Sequence, residues 1–279
     1  MAVKGMTIML TGATGGIGRE TARALACKGA RLIVHGRDPQ KVERLSGQLS
    51  AEGAEVSGVV ADLSSLEDTA RLGREVIRLA KPVEVLINNA GIGFGSNADR
   101  REESADGIEL RFAVNYLAPF LLTETLLAEG LPRRAVINVA SMGQEPLDFD
   151  DLATARGYNG VRAYRRSKIA LVMMSFDLAA AHPELQVLSL HPGTFLDTQM
   201  VRDAGISPLG PASQGSDSIL GVLEEALRGG ESGRYFDQGR PARALPQAYD
   251  QEARMRLREE TLRIVSRFLH GKAAVRRPQ

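Results

Sequence analysis

Tyr164 and Lys168 stand four residues apart in a stretch with helical apolar spacing. That spacing puts them one turn apart on one helix face, roughly 40° out of line. An ammonium beside a phenol favours the phenolate and lowers a tyrosine pKa from its ordinary value near 10 toward working pH. A tyrosine tuned in this way can serve as general acid or base on an alcohol oxygen. The pair alone is weak evidence, because tyrosine and lysine share helix faces in many proteins. Residues 136–141, Val-Ile-Asn-Val-Ala-Ser, add an apolar strand that ends in a hydroxyl. Ser141 could hydrogen-bond a reacting oxygen; without Tyr164 it would read as a strand-end turn residue. Asn115 falls inside the apolar helical run 112–122. A buried amide needs partners, so Asn115 is either a packing polar residue or part of a relay.

A second group of residues could hold a phosphate. Thr11-Gly12-Ala13-Thr14-Gly15-Gly16-Ile17-Gly18 joins an apolar strand to a helical stretch. Glycines there permit a tight turn and close approach to a pyrophosphate, and the free N–H groups and dipole of the helix start favour the anion. A glycine-rich string is weak by itself; between a strand and a helix it is in the required context. The next strand ends in Gly36-Arg37, and Asp38-Pro39 follows. An acid at that strand end would take a ribose hydroxyl of NAD, whereas an arginine suits the 2′-phosphate of NADP. Asp38 is better used as a helix cap before Pro39. NADP(H) is therefore the expected cofactor, with NAD(H) as the alternative.

The elements that must position these groups alternate strand and helix. Apolar runs at 6–10, 32–35, 55–61, 83–87, 135–139 and 186–190 read as six strands. Helices are expected over 17–27, from Pro39, over 106–128, over 161–181 and over 251–269. Ser64 with Glu67 three positions on reads as a capping box. Leu66, Ala70, Gly73, Ile77 and Ala80 then give the apolar stripe of a helix on a sheet. In the 161–181 helix, Ile169, Val172, Met173, Phe176 and Ala180 share one side. Short apolar strands separated by helices imply an α/β fold: a doubly wound, Rossmann-type parallel sheet flanked by helices on both faces. Residues 1–270 read as one domain and 271–279 as a fraying tail. Two stretches break the rhythm after strand C-termini, where such sheets bind ligands. They are 142–160, polar and acidic, and 194–218, whose later part is rich in Ser, Gly and Pro. Both read as substrate-side insertions, the second as a lid.

Bulk properties narrow the class. Lys+Arg is 35 and Asp+Glu is 34, so nothing electrostatic favours nucleic acid or an anionic membrane. No metal-ligand cluster stands out. The single cysteine, Cys27, excludes an intrachain disulfide, fits a reducing cytoplasm, and reads as a buried thiol. The N-terminus has no signal-peptide pattern. No apolar run approaches the roughly 18 residues of a membrane span, so a cytoplasmic protein without a membrane anchor is expected.

Taken together and in this order, the motifs resemble the short-chain dehydrogenase/reductase family over about residues 7–250. The family's Thr-Gly-x-x-x-Gly-x-Gly turn matches Thr11 to Gly18, contributing Gly12, Thr14, Gly15, Gly16, Ile17 and Gly18 as cofactor contacts. Its Asp-Leu after the third strand matches Asp62-Leu63, which implies an adenine contact from Asp62. Its Asn-Asn-Ala-Gly matches Asn88-Asn89-Ala90-Gly91. Its helix asparagine, strand-end serine and Tyr-x-x-x-Lys match Asn115, Ser141, and Tyr164 with Lys168. Its Pro-Gly after the sixth strand matches Pro192-Gly193, beside the nicotinamide in that family. Thr198 matches the threonine that contacts the carboxamide, with one residue more than the usual Pro-Gly-to-Thr spacing. The chain looks most like the retinol-dehydrogenase-like branch. The residues that carry this are Phe112-Ala113-Val114-Asn115-Tyr116-Leu117, the long gap from Ser141 to Tyr164 with Asp150-Asp151-Leu152, His191-Pro192-Gly193, and Gly233-Arg234-Tyr235-Phe236.

The resemblance implies NADP(H)-dependent interconversion of a carbonyl and an alcohol on a small molecule. Ser141 and Tyr164 would hold the substrate oxygen and Tyr164 would carry the proton. Lys168 would keep the Tyr164 pKa down and bind the nicotinamide ribose, and Asn115 would hold a water that refills Lys168. Phe94, Phe149, Phe195 and Leu196 are candidates to line an apolar pocket; Arg156 and Tyr158 could instead meet a polar substrate. A homodimer or homotetramer is the assembly the family suggests, which Arg165-Arg166 or the C-terminal helix could alter. Two rivals remain. One is a sugar-nucleotide epimerase or dehydratase, since Gly12-x-x-Gly15-x-x-Gly18 also fits, although little chain remains after Lys168 for its substrate domain. The other is a non-catalytic NADP(H)-responsive binding protein, which would not need Ser141, Tyr164 and Lys168.

Overall fold

The apolar runs assemble into one eight-stranded sheet of order β3-β2-β1-β4-β5-β6-β7-β8. The computed structural model describes residues 3–79, 82–95 and 97–269. Six strands match the expected runs: β1 (Thr7–Leu10), β2 (Arg31–Gly36), β3 (Val56–Val60), β4 (Val83–Asn88), β5 (Ala135–Val139) and β6 (Gln186–His191). They pair in parallel, and β1 and β5 are buried at every residue, as expected where helices cover both faces. Sequence reading missed β7 (Arg234–Asp237), parallel to β6, and β8 (Arg240–Ala242), antiparallel to β7.

On one face α1 (Gly16–Cys27), α2 (Pro39–Ala51) and α8 (Ala212–Arg228) close a core that includes Leu25, Leu45, Leu49, Ile137 and Val222. On the other, α3 (Leu66–Arg78), α5 (Ala118–Leu127), α6 (Gly160–Ala181) and α9 (Gln251–Val265) bury Val76, Phe120, Met173 and Leu257. The strand order reverses between β1 and β4, which opens a crevice beyond their C-terminal ends. α1 and α8 pack closely there: a side chain at Gly215 would sit 2.7 Å from Ile17 Cδ1. Small residues that admit this contact made residues 212–218 look like loop, although they open α8.

Local chemistry explains the other differences. Asp38 caps α2 as expected, accepting from the Gln40 and Lys41 amides at 3.0 and 3.2 Å. The cap of α3 is Ser65 rather than Ser64: Ser65 Oγ accepts from Asp68 N, while the Ser64 amide is spent on Asp62 Oδ1. Cys27 is exposed instead of buried, because it lies about 200° around α1 from Leu25, on the solvent side. Ala180 is likewise exposed near the end of α6. The expected 106–128 helix starts only at α4 (Leu110–Phe112), where Glu109 caps the Phe112 amide at 2.8 Å. It then widens to a π-helical turn over Ala113–Leu117 before α5. Ala80 and the expected tail 271–279 lie outside the described residues. Among the described residues no helix is long and apolar enough to cross a membrane, and no group of three or more His, Cys, Asp or Glu is placed to hold a metal ion.

Candidate active site

The glycine turn is built by close approach. Gly12, at φ +66°, lies against β4's end: a side chain there would come within 2.7 Å of Ala90 Cα. A side chain at Gly18 would collide with the Gly12 carbonyl oxygen. Thr11 ties turn to strand: its Oγ1 accepts from the amides of Asn89 and Ala90, both at 3.0 Å. Asn89 Nδ2 donates to the carbonyls of Thr11 and Gly12. By contrast, the space beside Gly15, which precedes α1, is open, and no acid occupies the first turn of that helix. This is the donor-rich, uncrowded helix start that a pyrophosphate requires, so the residues fit a dinucleotide.

The other cofactor candidates surround this turn. A side chain at Gly36 would strike Thr14 at 2.5 Å, so Arg37, exposed at the end of β2, emerges next to the turn. Asp38 is occupied as the α2 cap. Asp62 is exposed beyond β3 and Leu63 is buried beneath it. Gly193 follows Pro192 after β6 and rests on Leu196, while the Pro192 carbonyl accepts from Ser218 Oγ at 2.9 Å. The extra residue before Thr198 does not carry it away from the turn. Thr198 caps α7 (Gln199–Asp203), and its Cγ2 would lie 2.9 Å from a side chain at Gly16.

The reactive groups converge from β5 and α6. Ser141 follows β5 and Tyr164 lies in the second turn of α6, with the Ser141 side chain near enough to the Tyr164 phenol to lower its pKa. Lys168, one turn on, is 4% exposed; its Nζ donates to the Val139 carbonyl at 2.9 Å and lies 5.7 Å from the Tyr164 ring centroid. Gly91 separates Lys168 from Asn115: a side chain there would meet Asn115 Oδ1 at 3.2 Å and Lys168 Nζ at 3.4 Å. Asn115 sits on the π-helical turn. Its Oδ1 accepts from the Ile92 amide at 2.8 Å, and its Nδ2 donates to the Ile92 carbonyl and to Ser167 Oγ, both at 3.0 Å. Ser167 Oγ donates to the Tyr164 carbonyl at 2.7 Å. The asparagine amide thus braces the loop after β4 against the Tyr164 helix.

One electrostatic expectation is reversed. Burial pushes the Tyr164 phenol above its ordinary range, opposed by the Ser141 side chain. Burial also lowers Lys168 to about 8. An ammonium buried against a carbonyl, with its own charge disfavoured, does not draw the phenol down here.

Several candidate substrate contacts have other employment. Phe149 lies under the Arg256 guanidinium, 4.8 Å away on α9. Arg156 is solvated and pairs loosely with Asp148 and Asp151. Tyr158 donates to Glu109 Oε1 at 3.0 Å and accepts from Arg111 Nη1 at 3.1 Å. Phe94 does face the site, edge-on to Tyr164 at 6.0 Å. Leu196 is buried, while Phe195 is exposed. Sequence reading did not single out Gln144, nor Tyr235 except as part of a family pattern. Both donate to the Ser141 carbonyl at 2.9 Å.

Comparison with known proteins agrees with this geometry. The family model described as short chain dehydrogenase matches residues 6–207. The chain belongs to the short-chain dehydrogenase family. This short-chain dehydrogenase is 34% identical to human Retinol dehydrogenase 13 over 291 residues, covering 94% of this chain and 85% of that protein. That likeness places it in the retinol-dehydrogenase-like branch, and it is an NAD(P)-dependent oxidoreductase. A crystal structure of a Mycobacterium paratuberculosis protein superposes with a TM-score of 0.73 at 25% identity, covering 95% of this chain and 96% of that one. The Pseudomonas aeruginosa RhlG/NADP active-site complex superposes with a TM-score of 0.65 at 25% identity, covering 84% and 95%. The short-chain dehydrogenase thus shares its sheet and crevice with a protein solved with NADP.

Proposed function

We propose that the protein uses NADP(H) to interconvert a carbonyl and an alcohol on a small apolar molecule, with Tyr164 as acid and base. The observation that carries this reading is the convergence of Ser141 at the end of β5 with Tyr164 and Lys168 one turn apart on α6, Lys168 Nζ lying 5.7 Å from the Tyr164 ring centroid. When bound, the nicotinamide supplies or accepts the hydride. Ser141 Oγ accepts from the Gly143 amide at 3.1 Å. That bond leaves its own proton free to donate to a substrate oxygen. Burial keeps the Tyr164 phenol protonated at neutral pH, which suits it to deliver a proton in the reducing direction. Lys168, lowered to about 8, still carries its proton at neutral pH and can return one to Tyr164. Asn115 fixes the spacing between Ile92 and the Tyr164 helix.

The preference for NADP(H) is supported by Arg37 beside the turn and by the engagement of Asp38 as a cap. The apolar character of the substrate is supported by Phe94 against Tyr164. It is also supported by a rim of exposed Met142, Phe195 and Leu209, in which Thr194 Oγ1 meets Met142 Sδ and Leu209 N donates to the Phe195 carbonyl. The test is parallel titration with NADPH and NADH at one fixed salt concentration, followed by a panel of ketones, aldehydes and secondary alcohols. NADPH is expected to bind more tightly, and Tyr164→Phe is expected to lose 10²- to 10⁴-fold in turnover while binding NADPH like the parent. Full turnover in that variant would overturn the assignment of Tyr164.

A further inference from the structure

Ser141 stands just beyond the last rung of the β5–β6 ladder, where the Ala140 amide donates to the Leu190 carbonyl at 2.8 Å. Past that rung no strand among the described residues holds the peptide on which the serine hydroxyl swings. Two side chains hold it instead. The Ser141 carbonyl accepts from the Tyr235 hydroxyl and from Gln144 Nε2, both at 2.9 Å. Tyr235 is buried on β7, 94 residues along the chain. Burial pushes its phenol up, so it remains a donor across the working pH range.

Gln144 is anchored in turn, because its Oε1 accepts from the Leu245 amide at 3.0 Å. Three residues on, the Leu147 amide donates to Gln247 Oε1 at 2.6 Å, and Gln247 Nε2 donates back to the Leu147 carbonyl at 3.0 Å. The segment that follows Ser141 is therefore fastened to the chain between β8 and α9.

We propose that Tyr235, seconded by Gln144, is a positioning residue for catalysis, orienting the Ser141 hydroxyl through its own backbone carbonyl. The proposal rests on the role given to Ser141 above. Two donors on one carbonyl fix the rotation of that peptide. The Gly143 amide fixes the hydroxyl oxygen from the other side. Losing either carbonyl donor lets the hydroxyl drift from the oxygen it must meet, and small misplacements in an active site are costly in rate. A tyrosine that merely satisfied a buried carbonyl would affect stability without affecting Ser141 selectively.

The experiment compares Tyr235→Phe, Ser141→Ala and the double variant, using NADPH and the ketone that the parent reduces fastest in the panel. Tyr235→Phe is expected to lower kcat about tenfold, the scale of one neutral hydrogen bond, with NADPH affinity and KM for the ketone within about twofold. In the Ser141→Ala background the same substitution is expected to change kcat less than about twofold, because coupled residues are not additive. Gln144→Met, which removes the second donor, is expected to repeat the pattern and stands in if Tyr235→Phe does not fold. Equal losses in both backgrounds would make Tyr235 structural and overturn the proposal. An unchanged kcat in Tyr235→Phe, with Ser141→Ala impaired, would overturn it while leaving the proposed function standing. Full turnover in Ser141→Ala would overturn both.

Discussion

The Gly12 amide donates to His35 Nδ1 at 3.3 Å, and His35 Nε2 lies 3.1 Å from the Ala61 carbonyl. A buried imidazole thus joins the nucleotide turn to the ends of β2 and β3. This pairing requires the neutral ring with its proton on Nε2, since a second proton would face the Gly12 N–H. Burial accordingly lowers the His35 pKa from 6.5 to about 4.

The folded pKa lies below the unfolded one, so the contribution is present above pH 6.5 and is lost as pH falls toward 4. Over that span it amounts to about 3 kcal/mol. Denaturant unfolding at a series of pH values is expected to show this loss in the parent. His35→Gln, which does not titrate, is expected to have a flatter slope between pH 6.5 and 4. Equal slopes would show that His35 does not titrate against the fold.

Arg37 is exposed beside the turn. Arg37→Ala is expected to weaken NADPH binding ten- to a hundredfold, the range for charge-assisted hydrogen bonds. NADH binding is expected to stay within about twofold. Isothermal titration with both nucleotides checks this, and equal losses for the two would remove the basis for phosphate recognition at Arg37.

Gly12 and Gly15 separate folding from binding. A side chain at Gly12 would collide with the Ala90 backbone at a φ of +66°, whereas nothing lies within 4 Å of one at Gly15. Gly12→Ala is expected to cost about 1–3 kcal/mol of stability. Gly15→Ala is expected to unfold like the parent yet bind NADPH at least about tenfold more weakly, because it fills the cradle. Thermal unfolding and nucleotide titration of the two variants give the comparison.

Glu109 and Arg111 are each 1% exposed and lie 3.4 Å apart. Arg111 also donates to the Gly93 carbonyl at 3.1 Å and to Glu102 Oε2 at 2.6 Å, which pins the loop that carries Phe94. Arg111→Met strands the Glu109 carboxylate and is expected to destabilise the protein by about 3 kcal/mol. Adding Glu109→Gln is expected to restore part of that loss, as read by denaturant unfolding.

The parts of the site that sequence makes legible are those whose partners lie close along the chain. Gly12 to Gly18 sit between one strand and one helix, and Tyr164 and Lys168 share one helix face. Asp38 before Pro39 announces its cap. What hides is set by distant chain. Tyr235 reaches Ser141 from 94 residues along the chain and Leu245 holds Gln144 from 101 residues along it, and no local pattern announces either. Thr198 reaches Gly16 despite an extra residue because the α7 cap redirects the backbone. The start of α8 is disguised by the small residues that let it approach Ile17. Phe149, Arg156 and Tyr158 have chemistry suited to a substrate, yet Arg256, Asp151 and Glu109 are their partners. The Tyr164 shift could not be read either, since the desolvation that raises it depends on everything packed around the phenol.

The fastening of Leu147 to Gln247, and of Gln144 to Leu245, bears on how the enzyme comes into being. A ribosome delivers the glycine turn first, then Ser141, Tyr164 and Lys168, and only afterwards the residues that clasp the segment behind the serine. A nascent chain can therefore own every reactive side chain and still lack the brace that aims one of them. The clasp is complete only once residues 235–247 have been made, so the order of synthesis places the reactive groups before the chain that holds the segment behind Ser141.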